Sequence, residues 1–514
     1  MDYMLNREAL AAGEVLYDGC QEQPVDLDIS LPDYCPDIQR ILKCQVYPRI
    51  TGRNIMGDRL ELEGTYSVKV FYLDAGGTAL RCCENSSSFF AAITLKQPAD
   101  GAHVSAFTRV EYINCRATSP RRLDIHGAFS VCAKVVGRTD SEVVCGIEGE
   151  EIEQKRQVMP YSRLAGFCGQ QFPLEEVLEL PASKPGADNI LRTTAFASLQ
   201  DSKTVAGKLM VKGEVTLKIL YTSVLDETML ETMEYAIPFS QMLDGSDFTD
   251  DCLCEVKLQI AGLTIQVKND YSGDKTFFDV QMNLYAEAVA FQPAEITVVT
   301  DAYSKAYELE IGYQQKTLEQ VVELLNDSAI QKSSIALEGA GISKVFDVWN
   351  ELSAVTAAEQ DGQIVYKGKF NVCILAANKE NRPFYTERMI DFEYAHPWGA
   401  EKPKGVKCTS WLYVAGISYR ITGDGIEIKA ELRLEAQVIT QSSLKIISEI
   451  RADEDRPRAR DTSAALSIYY ADPGESLWDI AKAYGTTTDQ ILQANELEED
   501  QPPLGRMLLI PSVR

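Results

Sequence analysis

An internal repeat constrains this chain more than any other feature, because one pattern returns twice along it. Residues 57–72 (GDRLELEGTYSVKVFY), 206–221 (AGKLMVKGEVTLKILY) and 361–376 (DGQIVYKGKFNVCILA) align without gaps, at offsets of 149 and 155 residues. The copies share a glycine column and two aliphatic columns, namely Gly64, Gly213 and Gly368; Leu60, Leu209 and Ile364; and Val70, Ile219 and Ile374. Similarity at a fixed long period predicts several copies of one folded unit.

The similarity extends upstream of these segments in two of the three copies. LPDYCPDIQRILK begins at Leu31 and LPASKPGADNILR at Leu180, so the offset is again 149. The third copy has LEGAGISKVFDVWNEL instead, which keeps only the apolar character. Two segments with one offset indicate a duplicated domain, and the upstream part of the third copy is less clearly defined.

The downstream part of each copy predicts β-hairpins. RRLDIHGAFSVCAKV, KTFFDVQMNLYAEAV and DGIEIKAELRLEAQV alternate apolar and polar residues, which is the period of a half-buried strand. Each run follows a turn signal, at 119–122, 272–275 and 422–425, and another alternating stretch precedes each turn. The predicted fold class is mainly β: three tandem antiparallel β-rich repeats, packed as sandwiches or open barrels.

Three local features modify this pattern. The repeated glycine indicates a bulge or a close backbone approach, in preference to a ligand contact. Residues 317–327 (TLEQVVELLND) place Leu318, Val321, Val322 and Leu325 on one helical face, which predicts a helix. Residues 451–465 (RADEDRPRARDTSAA) lose all periodicity, and we interpret them as a charged linker whose basic residues are solvated.

The end of the chain predicts two capped helices between two short strands. Ser476-x-x-Asp479 and Thr487-x-x-Gln490 are capping boxes, and Gly485 ends the first helix. The predicted buried stripe of that helix consists of Leu477, Ile480, Ala481 and Tyr484. SIYYA (467–471) and MLLIP (507–511) are predicted strands, giving the order β-α-α-β.

This C-terminal module closely resembles the LysM domain. The signature lies in YYADPGESLWDIAKAYG (469–485), and Asn495 and the closing Leu-Ile-Pro at 509–511 also match. The resemblance implies a groove that binds N-acetylglucosamine polymers such as peptidoglycan and chitin. Leu504-Gly505-Arg506 departs from the usual Pro-Gly-Gln in this groove, which weakens a sugar assignment. The groove residues implied by the resemblance are Gly474, Glu475, Ser476 and Leu477 on one side, and Pro502, Pro503 and Leu504 on the other.

Trp478 is a further candidate for partner or glycan binding, because aromatic residues at grooves often contribute binding energy. It lies off the predicted buried stripe, and packing at the rim of the core is the favoured interpretation over a free anchor. The predicted domains are β repeat 1 (1–150), β repeat 2 (151–302), β repeat 3 (303–450), the charged linker (451–465) and the LysM domain (466–514).

Composition excludes several functional classes. A net charge of −26 disfavours nucleic acid and anionic membranes but permits a cationic protein surface. No apolar run is long enough for a membrane helix, and MDYMLNREALAAGEVLYDG lacks the pattern of a signal peptide, so we expect a cytoplasmic protein. The three histidines and the absence of phosphate-loop or HExxH motifs give no support for an enzyme. Paired carboxylates are interpreted as solvated faces, and no catalytic residue, metal or cofactor is predicted.

The cysteines follow no framework spacing. There are 13, an odd number, scattered along the chain. We interpret them as small buried hydrophobic residues, in preference to a disulfide framework or a zinc site.

Tandem β repeats followed by one LysM resemble the SipL type of clostridial spore-coat assembly proteins, whose repeats are called SPOCS domains. The resemblance implies a mother-cell protein at the forespore surface. It further implies that the LysM binds the morphogenetic ATPase of the coat basement layer. A non-enzymatic scaffold is therefore the preferred hypothesis, with other coat proteins as further partners through the β repeats. A peptidoglycan-binding cell-wall protein is the alternative, and a hydrolase within a repeat has little support.

Overall fold

A computed structural model gives the fold of most of the chain. The described residues are 3–245, 248–336, 341–423, 425–458, 465–472, 474–497 and 507–511. At residues 139 and 140 the description covers the backbone only. No helix among them is long and apolar enough to span a bilayer.

The first unit is a sandwich of two antiparallel three-stranded sheets. Its strands are β1 (Met4–Ser30), β2 (Ile38–Met56), β3 (Arg59–Asp74), β4 (Leu80–Thr94), β5 (His103–Ser119) and β6 (Arg122–Glu148). The strand orders are β1-β6-β5 and β2-β3-β4, so the first strand pairs with the last, and the middle strands form a meander. Alternate side chains of both sheets meet in one apolar core, including Leu60, Val70, Ile125 and Phe129.

The second and third units repeat this topology strand for strand. The second contains β7 (Ile152–Glu179), β8 (Ala187–Val205), β9 (Lys208–Ser223), β10 (Leu230–Leu243), β11 (Leu253–Lys268) and β12 (Phe277–Ser304). The third contains β13 (Tyr307–Ala336), β14 (Ile342–Gln360), β15 (Gln363–Asn378), β16 (Pro383–Pro397), β17 (Lys407–Ile421) and β18 (Gly425–Pro457). Their sheets are β7-β12-β11 with β8-β9-β10, and β13-β18-β17 with β14-β15-β16. The prediction of three antiparallel β repeats is confirmed, and the predicted hairpins are β5–β6, β11–β12 and β17–β18.

The repeated glycine lies under an aromatic ring in every unit. Gly64, Gly213 and Gly368 lie directly opposite Phe89, Phe239 and Phe392 on the neighbouring strand. A Cβ at any of these glycines would collide with that ring and with a backbone carbonyl oxygen of the strand on the other side. The close backbone approach predicted from the sequence is therefore confirmed.

This packing gives a test of stability. Gly368→Ala is expected to destabilise the third unit by about 2 kcal/mol, because the new methyl group forces the backbone or Phe392 to move. Gly416→Ala is the matched control, since a Cβ there would meet no atom within 4 Å. Thermal unfolding of both variants measures the difference, and equal midpoints would contradict the role assigned to the glycine column.

The proline motif of the first two copies is held by a tyrosine that the third copy lacks. The Tyr72 hydroxyl donates to the Pro36 carbonyl at 3.3 Å, and the Tyr221 hydroxyl donates to the Pro185 carbonyl at 3.2 Å. In the third copy Ala376 occupies the tyrosine position. The motif and its tyrosine are therefore present or absent together.

The three units close into a ring through their long strands. Beyond Val136, Phe291 and Ile439 the last strand of each unit pairs only with its first strand, which forms a two-stranded ribbon. Apolar residues of all three ribbons share one cluster, namely Leu10, Val143, Met159, Tyr161, Ile296, Val298, Leu318 and Ile446. The sheets that contain β2, β8 and β14 share a second apolar cluster, in which Phe71, Leu220 and Leu375 meet. Each unit thus contacts both others.

The helix predicted over 317–327 is wrong. These residues lie in β13 and pair with residues 434–443 of β18, with a register shift between Val321 and Glu323. Leu318 is buried in the ribbon cluster, whereas Leu325 is buried in the core of the third sandwich. Because β13 contains a bulge and runs from one core to the other, its buried residues fall at the spacing of a helical face.

Two further predictions are corrected by the fold. Strand β18 continues to Pro457, and residues 451–453 and 457 pair with the start of β13 rather than forming a linker. The remainder of the predicted linker at 459–464 lies outside the described residues. Cys20 and Cys132 face one another on β1 and β6 and form a disulfide, so treating all cysteines as unpaired hydrophobic residues is wrong for these two.

The C-terminal module adds the predicted small mixed fold. It consists of β19 (Leu466–Tyr470), α1 (Leu477–Tyr484), α2 (Thr488–Asn495) and β20 (Met507–Pro511), and β19 pairs antiparallel with β20. Its core contains Leu477, Ile480, Ile491, Leu508 and Ile510.

Candidate functional site

Both helices of the module begin at the predicted capping boxes. The Ser476 hydroxyl accepts from the Asp479 N–H at 3.3 Å, and the Asp479 carboxylate accepts from the Ser476 N–H at 3.3 Å. Thr487 and Gln490 repeat this arrangement on α2. Gly485 closes α1 in the left-handed conformation, at φ 66°. The local sequence alone is therefore sufficient to place both helices.

Asn495 joins α2 to the closing strand. Its side-chain amide donates to the Leu509 carbonyl and its oxygen accepts from the Leu509 N–H, both at 2.7 Å. The same amide also donates to the Ile491 carbonyl at 2.8 Å. This contact explains the asparagine that the LysM resemblance predicted, because it fixes the helix and β20 in one position.

The loop between β19 and α1 forms the described wall of the predicted groove. Gly474 is exposed at φ 91°, and a Cβ at this position would meet no atom within 4 Å. Glu475 holds the loop, since its carboxylate accepts from the Tyr469 hydroxyl at 2.7 Å and from the Asp472 N–H at 3.1 Å. That hydrogen bond to Glu475 raises the pKa of Tyr469 to about 12. Leu477 is fully buried and contributes no side chain to a surface.

The residues predicted for the other side of the groove, Pro502, Pro503 and Leu504, fall outside the described residues. Among the predicted site residues, the structure thus brings together Gly474, Glu475 and Ser476 as one surface loop.

Trp478 contacts the second unit rather than solvent. Only 8% of it is exposed, and its ring meets Tyr303 edge-on, with 5.0 Å between ring centroids. Its indole N–H donates to the Asp301 carboxylate at 2.8 Å. Tyr484, which was predicted to lie on the buried stripe, is 46% exposed, so that prediction is wrong. The ribbon ends cover the Trp478 side of α1, so the buried residues of this helix include Trp478 and not Tyr484.

Asp301 at the end of β12 is the centre of this contact. Lys482 lies 2.7 Å from its carboxylate, and the Tyr303 hydroxyl donates to the Thr486 carbonyl at 2.6 Å. Burial by itself would raise the pKa of Asp301, but hydrogen bonds from Lys482 and Trp478 outweigh it and lower the pKa below its ordinary value.

Arg458 completes the contact from the end of β18. Its guanidinium donates to the Ser304 carbonyl at 3.0 Å and to the Lys482 carbonyl in the last turn of α1. The prediction that the basic residues of 451–465 are solvated is therefore wrong for Arg458. We call Asp301, Tyr303, Arg458, Trp478 and Lys482 the module interface.

The module interface was not predicted from the sequence. Asp301, Tyr303 and Arg458 carry no local motif, and they meet α1 only because two ribbons end beside it. The single signal was the position of Trp478 off the predicted stripe, which favoured packing at the rim of the core of the module.

One group of metal-ligand type occurs among the described residues. Glu351, Cys373 and Glu387 come together at the boundary of the first and third units. The Lys43 ammonium lies 2.9 Å from Glu351 and 3.1 Å from Glu387, so a cation of the chain itself already neutralises these carboxylates. We therefore interpret this group as an ion-paired contact between units.

Comparison with known protein families agrees with this architecture. Residues 37–118 and 186–268 match the family described as SipL, SPOCS domain, and these ranges cover β2–β5 and β8–β11. Residues 469–511 match the LysM domain. No curated protein and no solved structure matches the chain. The third unit, which the family match does not cover, has the same strand order as the other two.

Proposed function

We propose that this chain, with its SipL-type arrangement of SPOCS regions and a C-terminal LysM domain, is a non-enzymatic scaffold in endospore coat morphogenesis. In this proposal the LysM docks onto the morphogenetic ATPase of the coat basement layer, at the forespore surface in the mother-cell cytoplasm. The SPOCS and LysM matches support a sporulation-related scaffold or cell-wall-binding role. The coat ATPase is the partner that the resemblance implies.

The observation that carries the proposal is the way in which the LysM is held. Its Trp478 side is fixed to the ribbon ends by Asp301, Tyr303 and Arg458, while the loop around Gly474 stays exposed. A recognition module in a fixed orientation on a large β ring suits a scaffold, because binding then positions the whole ring relative to the partner.

The charge of the module favours a protein partner with a basic surface. Residues 466–514 contain eight acidic and three basic side chains, and one of the basic ones, Lys482, is paired with Asp301. Asp472 and Asp489 are exposed, on the loop before α1 and on α2. A cationic surface would gain from this field in both rate and specificity of association.

A pull-down with the coat ATPase tests the proposal. Removal of residues 466–514 is expected to reduce recovery of the ATPase at least about tenfold, since it removes the docking module. Asp472→Arg, beside the exposed loop, is expected to reduce recovery while the module stays folded. Asp489→Arg makes the same charge change on α2 and is the matched control. Equal recovery with and without residues 466–514 would contradict the proposal.

The glycan-binding alternative is tested in parallel by sedimentation with insoluble peptidoglycan and chitin. The LysM match and the exposed loop at Gly474 favour it. Sedimentation of the intact chain that Asp472→Arg abolishes, together with unchanged recovery of the ATPase, would favour the cell-wall role over the scaffold.

A further inference from the structure

Four free thiols lie at one end of the core of the first unit. Cys35, Cys44, Cys83 and Cys115 all belong to or pack against one apolar cluster. Cys44 and Cys83 flank Val70 from the strands on either side, so they lie on the same face of the β2-β3-β4 sheet. Cys115 lies on β5 in the opposite sheet of the sandwich.

Cys44 and Cys115 meet across the core. The side chains of the two residues are joined by a hydrogen bond. Cys44 is buried, whereas Cys115 is only half-buried and is therefore the more accessible thiol. The hydrogen bond with Cys44 lowers the pKa of Cys115, while it raises the pKa of Cys44 together with burial. Cys115, as the more accessible of the two, is thus the thiol that a peroxide reaches first.

The fold itself does not require this pair of thiols. Thr193 occupies the position of Cys44 in the second unit and Val348 occupies it in the third, each opposite the same aliphatic column. The first unit also contains the Cys20–Cys132 disulfide, which links neighbouring strands of one sheet. Both of these cysteine pairs therefore lie in the first unit. Cys20 and Cys132 are joined within one sheet, whereas Cys44 and Cys115 lie in different sheets.

We propose that Cys44 and Cys115 are a redox site that forms an inter-sheet disulfide when the protein meets a peroxide. The Cys115 thiolate attacks a peroxide oxygen, which breaks the O–O bond and gives a sulfenic acid and one water from hydrogen peroxide. The Cys44 sulfur then displaces the sulfenic hydroxyl, which leaves as a second water, and the S–S bond forms. Two thiols lose two electrons and two protons, and one peroxide becomes two waters.

The bond would join two edge strands. β2 is at the edge of the β2-β3-β4 sheet, and β5 is at the edge of the β1-β6-β5 sheet. A covalent link between them stops the two sheets from separating at that side. It also restricts the unfolded chain over the segment between residues 44 and 115, so the melting midpoint of the first unit is expected to rise by about 5–10 °C.

Peptide mapping of the full chain tests this proposal. The protein is treated with hydrogen peroxide, alkylated with iodoacetamide in denaturant and digested with trypsin without reduction. We expect the peptides CQVYPR (44–49) and VEYINCR (110–116), each with a single cysteine, to be recovered as a disulfide-linked pair that is absent before oxidation. Recovery of both peptides in alkylated form after peroxide would overturn the proposal, as would 44–49 joined to 82–96.

Two variants separate this bond from a general effect of oxidation. Cys115→Ser is expected to remove both the linked pair and the rise in melting midpoint with peroxide. Cys145→Ser, on the ribbon of the first unit, is expected to keep both. A peroxide-dependent rise of equal size in Cys115→Ser would show that another reaction is responsible and would overturn the stabilising role.

Discussion

Asp347→Ala is expected to destabilise the protein by about 3–5 kcal/mol, because it leaves two cations without their partner at the boundary of the second and third units. The Asp347 carboxylate lies 2.7 Å from the Arg192 guanidinium and 2.6 Å from the Lys218 ammonium. Arg192 and Asp347 are each 2% exposed, so water cannot solvate the guanidinium that loses its partner. The Arg192 guanidinium also stacks 4.1 Å above the Trp349 ring, which fixes its position.

Thermal and denaturant unfolding measure this effect, with two comparisons. Glu393→Ala removes one partner of an exposed pair with Lys367, with exposures of 63% and 51%, and is expected to change stability by less than about 0.5 kcal/mol. Asp347→Leu combined with Arg192→Met is expected to recover much of the loss, because an apolar pair of similar volume leaves no buried guanidinium unpaired. If Asp347→Ala is no more destabilising than Glu393→Ala, the ring does not depend on this contact.

Asp301→Ala is expected to release the LysM from the ribbon ends without unfolding it. The change removes the acceptor of the Trp478 indole and the partner of Lys482. Hydrogen bonds to a charged group contribute about 1.5–3 kcal/mol each when buried, and partial exposure of Lys482 reduces this to about 2 kcal/mol in total. The docked population should therefore fall by roughly thirtyfold relative to the released one.

Hydrogen exchange of the full chain distinguishes release from unfolding. Peptides covering α1 and the end of β12 are expected to exchange faster in Asp301→Ala. Peptides covering α2 should be unchanged, because Asn495 holds that helix within the module. Asp453→Ala, near the end of β18 and paired with exposed Arg456, is the control. Faster exchange throughout α1, α2 and β20 would mean that the module unfolds and would contradict simple release.

The same contact has a defined pH dependence. The folded pKa of Asp301 is lowered, so its contribution to docking is fully present above the ordinary aspartate pKa of about 4 and is lost as the pH falls through the lowered value. After correction for intrinsic exchange rates, the amides of α1 should therefore be equally protected at pH 7 and pH 5. Loss of protection already at pH 5 would contradict the assignment of Asp301.

The residues that set local structure could be read from the sequence. The period-two runs, the three-fold glycine column and the two capping boxes all appear in the structure with the predicted roles. Each depends on neighbours along the chain or on an adjacent hairpin strand, so the relevant contacts are fixed by spacing. Of the predicted groove, the structure places Gly474, Glu475 and Ser476 on one loop, and the role of the groove as a docking surface stays a prediction.

The tertiary structure alone decided how the copies combine. Residues 317–327 have a helical apolar spacing, yet they form a strand because β18 pairs with them and two different cores bury Leu318 and Leu325. Trp478 and Arg458 acquire their partners only where two ribbons end beside α1. The sequence determined the repeated unit and the LysM, because local periodicity encodes which face of an element is apolar. It did not determine the ring or the module interface, because contacts between residues hundreds of positions apart leave no periodic trace in the chain.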